Sequence, residues 1–402
     1  MSRISPILQQ NSTDETSTFA TVVLVLVVIA SATDMTELSS EYHILTIIPA
    51  IFLFTIVVIT LSNSVQIPLY ALIAYAAIWI LYLSHAIVPP VSLWALLRIP
   101  IFMCSSFIFL FVAPKIVNVN GFLYMMYILA ASLTLIGIPN FLIGEYYIMG
   151  FAVSPHPVQK QVPFLGMLVY PMKSVLANPN PFGFIVGIGS LIGLSAYYKH
   201  RRWFDLFLIV VLSIGVIFSA SRGALLTTIV GWSLLSAYFF FNLETLYLFI
   251  LAGCLGLLFL FVTNVSPFTS PISLPTIIPV RWQYWTAAVE AIKINPYIGV
   301  GFQPIDHIIS PFLPSGLVTA NIHNTYLYVL LTRGLIGGFI HFIFLSLLYR
   351  KSLASISDQN DVLLLCILTM VLIEMLFEGM AMFGLSLFSV IPITIFGFVI
   401  HQ

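Results

Sequence analysis

Apolar residues in this chain recur neither at the three-and-four spacing of a surface helix nor at the alternate positions of a half-buried strand. They run on in blocks of roughly 17–25 residues separated by polar turns, the pattern of helices surrounded by lipid or by other helices. Twelve blocks are legible, near 18–33, 43–62, 67–88, 93–113, 121–139, 181–198, 203–219, 222–241, 245–262, 323–349, 361–379 and 381–400. Glycine and proline inside them do not argue against helix in a bilayer. The expected fold is all-α: a polytopic helical bundle of about twelve transmembrane helices, forming a single domain over 1–402. The first block ends in Ala30-Ser31-Ala32, like a signal peptidase site. Only Arg3 precedes it as a cation, and Asp14 and Glu15 adjoin it, so it reads as a short first helix after a tail at 1–17.

Composition removes the soluble alternative. Charged residues make up 7% of the chain and hydrophobic residues 60%, whereas a soluble domain carries about 25% charged residues. Mean hydropathy is +1.09. Fourteen Lys+Arg balance fourteen Asp+Glu, which leaves no basic face for nucleic acid. Cys104, Cys254 and Cys366 each lie in an apolar run and read as small buried hydrophobes.

The cations predict an orientation. With the N-terminus in the cytoplasm, the inner tails and turns hold Arg3, Lys115, Lys199, Arg201, Arg202, Arg350 and Lys351, and the short outer turns hold only Arg222. Lys160, Lys173, Arg281 and Lys293 fall in two long outer loops, 140–180 and 263–322. Long loops cross the membrane largely regardless of charge. Both termini are therefore expected in the cytoplasm. In the second loop, Trp282, Trp285, Val289 and Ile292 recur at helical spacing, with Glu290 and Lys293 off that stripe. The spacing predicts an interfacial helix at about 281–293, stopped by Pro296.

Ionisable residues inside apolar blocks are costly and point to function or to internal pairing. Arg98, Arg333, Glu374 and Glu378 are of this kind, all toward the outer end of their blocks; Glu374 and Glu378 lie one helical turn apart and are able to neutralise Arg98 or Arg333. Arg222 follows Ser221, a candidate N-cap, and His323-Asn324 opens the tenth block from the same side. Helix starts present free N–H groups to anions, and an arginine there adds a bidentate fork. These residues suit a phosphate leaving group beside a proton acceptor. The sequence carries no Asp-x-Asp motif and no clustered ligand set for a divalent ion, so no cofactor is expected and arginines take the electrostatic role.

Four stretches in order carry a family resemblance: Asn178-Pro179-Asn180-Pro181-Phe182-Gly183, Ser221-Arg222-Gly223-Ala224, Arg281-Trp282 leading to Asn295-Pro296-Tyr297-Ile298-Gly299-Val300-Gly301-Phe302, and His323-Asn324-Thr325-Tyr326 leading to Arg333-Gly334-Leu335-Ile336-Gly337. In that order they resemble the O-antigen ligase/polymerase superfamily of bacterial envelope enzymes, across about residues 178–340. The resemblance implies a metal-independent, GT-C-like glycosyltransferase on the periplasmic face of the inner membrane. Its donor would be an undecaprenyl-pyrophosphate-linked glycan, and its acceptor a sugar hydroxyl of the lipid A core (ligases) or another lipid-linked glycan (polymerases). It places the essential groups at Arg222, Arg281 and His323. The residue pattern itself adds Arg98, Arg333, Asn324, Ser221, Glu374 and Glu378 as candidate substrate contacts. Rival readings are a metal-dependent transferase using Asp34, Glu37 or Glu41, a polysaccharide flippase lined by the buried charges, and a non-catalytic envelope subunit.

Overall fold

A computed structural model describes residues 6–32, 40–61, 66–86, 93–148, 151–163, 165–241, 243–250, 253, 277–301, 303–317, 321–379 and 383–402. The protein is mostly helical: α1 Pro6–Ala32, α2 Ser40–Leu61, α3 Leu69–Ala86, α4 Leu93–Phe107, α5 Ala113–Ile116, α6 Val119–Ile143, α7 Pro179–His200, α8 Trp203–Phe218, α9 Arg222–Phe240, α10 Ile277–Ile292, α11 Ile305–Ile309, α12 Thr325–Ala354, α13 Gln359–Phe377 and α14 Leu387–His401. A π-helical turn at Ile108–Val112 joins α4 to α5. Each apolar block except the ninth coincides with one of these helices or with the α4–α5 run. Of the ninth, 245–262, only 245–250 and 253 are described.

Among the described residues, six helical stretches are long and apolar enough to cross a membrane: Ile99–Ile116, Val119–Ile143, Pro179–His200, Arg222–Phe240, Thr325–Ala354 and Gln359–Phe377. Shorter apolar helices include Trp203–Phe218 and Leu387–His401. The chain is a multi-pass helical membrane protein.

One helix organises the bundle. Helix α7 is buried along nearly its whole length, with α6, α8, α9 and α13 around it. Small residues make that possible. A Cβ on Gly187 would stand 2.3 Å from Thr228 Oγ1, and one on Gly189 would stand 2.2 Å from Ala130 Cβ. Where lipid is as apolar as leucine, close backbone approach of this kind supplies much of the attraction between helices.

Three expectations need correction. The fold is not purely helical: Tyr146–Ile148 (β1) pairs with Phe151–Val153 (β2), and Lys160–Gln161 (β3) with Leu168–Val169 (β4), both antiparallel, within the loop at 140–180. Strands of two or three residues carry too little alternation to be seen in sequence. Cys104 is exposed on the outside of the bundle, where an apolar surface suits lipid, whereas Cys366 is buried; Cys254 lies outside the described residues. The tenth block is not one continuous helix, because Gly334 in α12 has φ 65°, ψ −168°.

The break in α12 is filled by the motif that precedes it. The amides of Val300 and Gly301 donate to the carbonyls of Leu331 and Thr332, at 2.9 Å each. The amides of Leu335 and Ile336 donate to the carbonyls of Pro296 and Tyr297, at 2.7 and 3.1 Å. The segment from Asn295 to Gly301 thus replaces the hydrogen bonds that the kink removes, as apolar surroundings require. Gly299 and Gly334 both have positive φ, and a Cβ on Gly299 would lie 2.4 Å from the Arg333 amide nitrogen. Only glycine fits at either place.

Candidate functional site

Three helix starts meet the end of a fourth helix. The first turns of α7, α9 and α12 converge on the C-terminal turn of α13, where Glu378 is the C-cap residue. A carboxylate is out of place beside the negative end of its own helix dipole. Here partners from three other elements hold it. Arg281 Nη2, from α10, donates to Glu378 Oε1 at 2.8 Å, and Asn180 Nδ2, from α7, donates to the same oxygen at 2.6 Å. His323 Nδ1 lies 3.1 Å from Oε2, and Thr325 Oγ1 donates to the Glu378 carbonyl at 2.8 Å. Glu378 is only 5% exposed. The ion pair with Arg281 holds it as the carboxylate. An ionised carboxylate only accepts, so a neutral His323 carries its proton on Nδ1 and turns the Nε2 lone pair away from Glu378.

The two groups facing Glu378 are locally built. Arg281 also donates from Nη1 to the Phe377 carbonyl at 2.7 Å, a fork grip on the last turn of α13. One turn along α10, Trp285 Nε1 donates to the Ile322 carbonyl at 3.1 Å, tying α10 to the residue before His323. Ile322 is buried with Ala287, Ala288, Ala291, Ile309 and Leu331. His323 has φ 52°, a left-handed conformation uncommon for a side-chain-bearing residue, and its amide donates to Asn321 Oδ1 at 2.9 Å. Asn324 then caps α12 by accepting from the Leu327 amide at 2.9 Å, while its own amide donates to the Leu376 carbonyl at 3.1 Å.

The start of α9 repeats the device. Ala220 has φ 51°, and Ser221 caps the helix by accepting from the Ala224 amide at 3.4 Å. Gly223 brings this turn against α13: a Cβ there would lie 3.1 Å from Phe377 Cβ and 3.2 Å from Glu374 Oε1. Arg222 and Arg281 therefore flank the same turn and lie within electrostatic reach of each other. Arg222 Nη1 is buried and makes no hydrogen bond among the described residues. Glu374 is fully buried; its Oε2 accepts from Thr227 at 3.4 Å, and its Oε1 has no hydrogen-bond partner among the same residues.

Arg222, Arg281, His323, Ser221, Asn324, Glu374 and Glu378 thus lie together. Ser221 and Asn324 serve there as helix caps, and Glu378 is turned to the protein's own groups. Arg333 stands apart. It is 1% exposed, stacks its guanidinium 4.1 Å from the Tyr82 ring centroid, and donates to the Tyr82 hydroxyl. Among the described residues no carboxylate pairs with Arg333, and the partner that Glu378 neutralises is Arg281. The side chains of Arg98 and Glu41, like Asp34 and Glu37 as a whole, lie outside the described residues. In the same residues no group of three or more His, Cys, Asp or Glu is arranged as a metal site.

Residues 207–342 match the family model described as O-antigen ligase. Over that stretch the chain is similar to the O-antigen ligases. The matched stretch holds Arg222, Arg281, His323 and Arg333, and stops short of Glu374 and Glu378. None of the curated proteins matches the chain.

Two members of the O-antigen ligase-like site escape sequence reasoning. Asn180 reads as part of a helix-opening motif, and nothing in its spacing points to a glutamate 198 positions later. Lys160, in β3, is an unremarkable loop cation in sequence. In the folded chain burial, followed by the Arg281 charge, holds its ammonium below its ordinary value. The hairpin that carries it is fastened over the site, because the Met172 amide donates to the Phe218 carbonyl at 2.8 Å, just before Ser219-Ala220-Ser221-Arg222. The expected interfacial stripe on α10 is divided: Trp285 and Ile292 pack inward, whereas Trp282 is 62% exposed and Val289 faces out with it.

Proposed function

We propose that the protein is a metal-independent glycosyltransferase. It moves a glycan from an undecaprenyl-pyrophosphate carrier to an acceptor sugar hydroxyl on the periplasmic face of the bacterial inner membrane. The observation that carries this reading is the meeting of Arg281 and His323 on one buried carboxylate, with Arg222 beside them and one of its buried N–H groups without a partner. A diphosphate leaving group needs its growing charge met by fixed donors. Arg222 supplies a guanidinium fork, Arg281 adds charge and the N–H groups that its grip on α13 leaves over, the start of α9 adds helix-end N–H groups, and Lys160 adds a third cation.

Transfer then runs as a single balanced displacement. The acceptor oxygen attacks the anomeric carbon while its proton passes to His323 Nε2. The bond from the anomeric carbon to the phosphate oxygen breaks, and its electron pair leaves with the diphosphate. The side of the membrane follows from charge. Lys199, Arg201 and Arg202 lie at the far end of α7 from Asn180, and Arg350 and Lys351 toward the far end of α12 from His323. A helix of 22 residues, such as α7, spans about 33 Å at 1.5 Å per residue. The cation-rich end suits the cytoplasm, which supports a site on the outer face and both termini within.

The lipopolysaccharide pattern of a deletion strain tests the reading. Loss of long-chain glycan on lipid A with accumulation of lipid-linked polymer identifies a ligase, whose acceptor is the lipid A core. A core bearing a single repeat identifies a polymerase, whose acceptor is another lipid-linked glycan. An unchanged pattern, with all surface glycans intact, overturns the proposal.

A further inference from the structure

Glu378 is the most heavily engaged side chain at the site, and both of its oxygens already accept from the protein's own groups. Oε1 is taken by Arg281 and Asn180, and Oε2 accepts from His323. Its backbone is fixed as well, by Thr325 on its carbonyl and by its own amide donating to the Glu374 carbonyl at 2.9 Å. Three of the roughly four acceptor positions of the carboxylate are thus filled from within. A group so placed sets what its neighbours are able to do.

We propose that Glu378 is a positioning residue: it fixes His323 with the proton on Nδ1 and the Nε2 lone pair toward the acceptor, and it ties that imidazole to Arg281 through one shared carboxylate. This rests on the transferase reading above and deepens it. Imidazole has two tautomers, and only one leaves Nε2 able to receive a proton. A carboxylate on Nδ1 selects that one and stabilises the imidazolium formed as the acceptor proton arrives. The strained backbone at His323 and the buried Ile322 before it set where the ring stands; Glu378 sets its rotation and tautomer. Because Arg281 holds the other oxygen, the arm that meets the leaving group and the arm that receives the proton keep a fixed spacing. Charged or titratable groups facing this pair come from every neighbouring element: Arg281 on α10, Arg222 on α9, Lys160 on β3, and Glu374 one turn earlier on α13.

The isosteric Glu378→Gln separates positioning from packing. Its amide oxygen still accepts from Arg281 and Asn180, so the shape and the grip on α13 persist. Its NH2 now faces His323 Nδ1 and must donate, which forces the proton onto Nε2 and leaves no base. In proteoliposomes holding a polyprenyl-diphosphate glycan and an acceptor, Glu378→Gln should lower kcat roughly a hundred- to ten-thousandfold. Donor KM should stay within about threefold of wild type, since uniform binding is untouched.

Glu378→Asp, which keeps the charge, should recover part of the lost turnover. In the double variant with His323→Ala, Glu378→Gln should add less than about threefold to the loss from His323→Ala alone, because groups acting as one unit are non-additive. Wild-type turnover in Glu378→Gln, a loss confined to donor KM, or additive losses in the double variant would each overturn the positioning role. If Glu378→Gln shows no cooperative melting in detergent, the Glu378→Asp kcat and the acid limb of its rate–pH profile decide. A partial loss of kcat with a displaced acid limb then speaks for the proposal, whereas wild-type values for both, or a loss of turnover with an unmoved acid limb, overturn it. A wild-type protein inactive on every lipid-linked donor fails the transferase reading instead, and is recognisable because no variant comparison is then needed.

Discussion

The starts of α9 and α12 use one backbone device for two purposes. Each has a left-handed residue, Ala220 or His323, followed at once by a capping side chain, Ser221 or Asn324. In α12 the left-handed residue is itself the proposed base, and it is clamped: Glu378 on Nδ1, Asn321 on its amide, Trp285 on the preceding carbonyl. In α9 the left-handed residue is a plain alanine, and the charged side chain follows the cap with a buried N–H left over. One start is finished without substrate; the other keeps capacity for a ligand. Strain of about 1–3 kcal/mol at such a residue persists only where the surroundings over-determine it, and both sites meet that condition.

The largest way to break the comparison is to empty the clamped side. His323→Ala should reduce transfer roughly a hundred- to ten-thousandfold with donor binding largely kept, measured by complementation and by turnover in proteoliposomes. Near-normal product would remove the imidazole from the reaction. The open side should respond differently. Arg222→Ala should cost about a hundred- to a thousandfold in turnover and weaken donor binding as well. Arg222→Lys should restore little of this, because an ammonium lacks the planar fork. If lysine serves as well as arginine, the start of α9 contributes charge alone.

Much of this was legible in the chain. Arg222 and His323 were readable because an arginine or histidine at the start of an apolar block has few structural uses, and Arg281 because it opens one of the ordered motifs in the long loop. The helices were readable because apolar runs of that length leave the backbone only one way to satisfy itself. Glu378 was visible as a charge out of place, but its partner was not: the pairing expected with Arg98 or Arg333 goes to Arg281, and only the folded helix ends bring those two together. The break in α12 was present in sequence as two separate motifs. Hydropathy does not register an exchange of backbone hydrogen bonds, so nothing in the pattern joined Asn295–Gly301 to Arg333–Gly334. The small hairpins were silent for a related reason, since Lys160 and Gln161 alone show no alternation.

Backbone variants sharpen the comparison without touching a reactive side chain. Gly299→Ala should destabilise the protein by about 1–3 kcal/mol or more, because its Cβ meets the α12 backbone at a positive φ. A melting temperature in detergent equal to wild type would show that the inserted segment yields easily. The smallest expected effect is at the caps. Ser221→Ala should cost about 1 kcal/mol, whereas Asn324→Ala should cost more, since Asn324 also holds the Leu376 carbonyl. Equal losses in thermal melts would mean that the second bond contributes nothing.

The segment from Asn295 to Gly301 belongs to an external loop by sequence and to a transmembrane helix by hydrogen bonding. If it withdrew, the carbonyls of Leu331 and Thr332 and the amides of Leu335 and Ile336 would be stranded where no water waits. The segment Asn295–Gly301 should therefore enter the bilayer together with α12 and stay with it. Amide protons at Val300 and Leu335, distant along the chain, should exchange with solvent at a common rate, as members of a single opening unit.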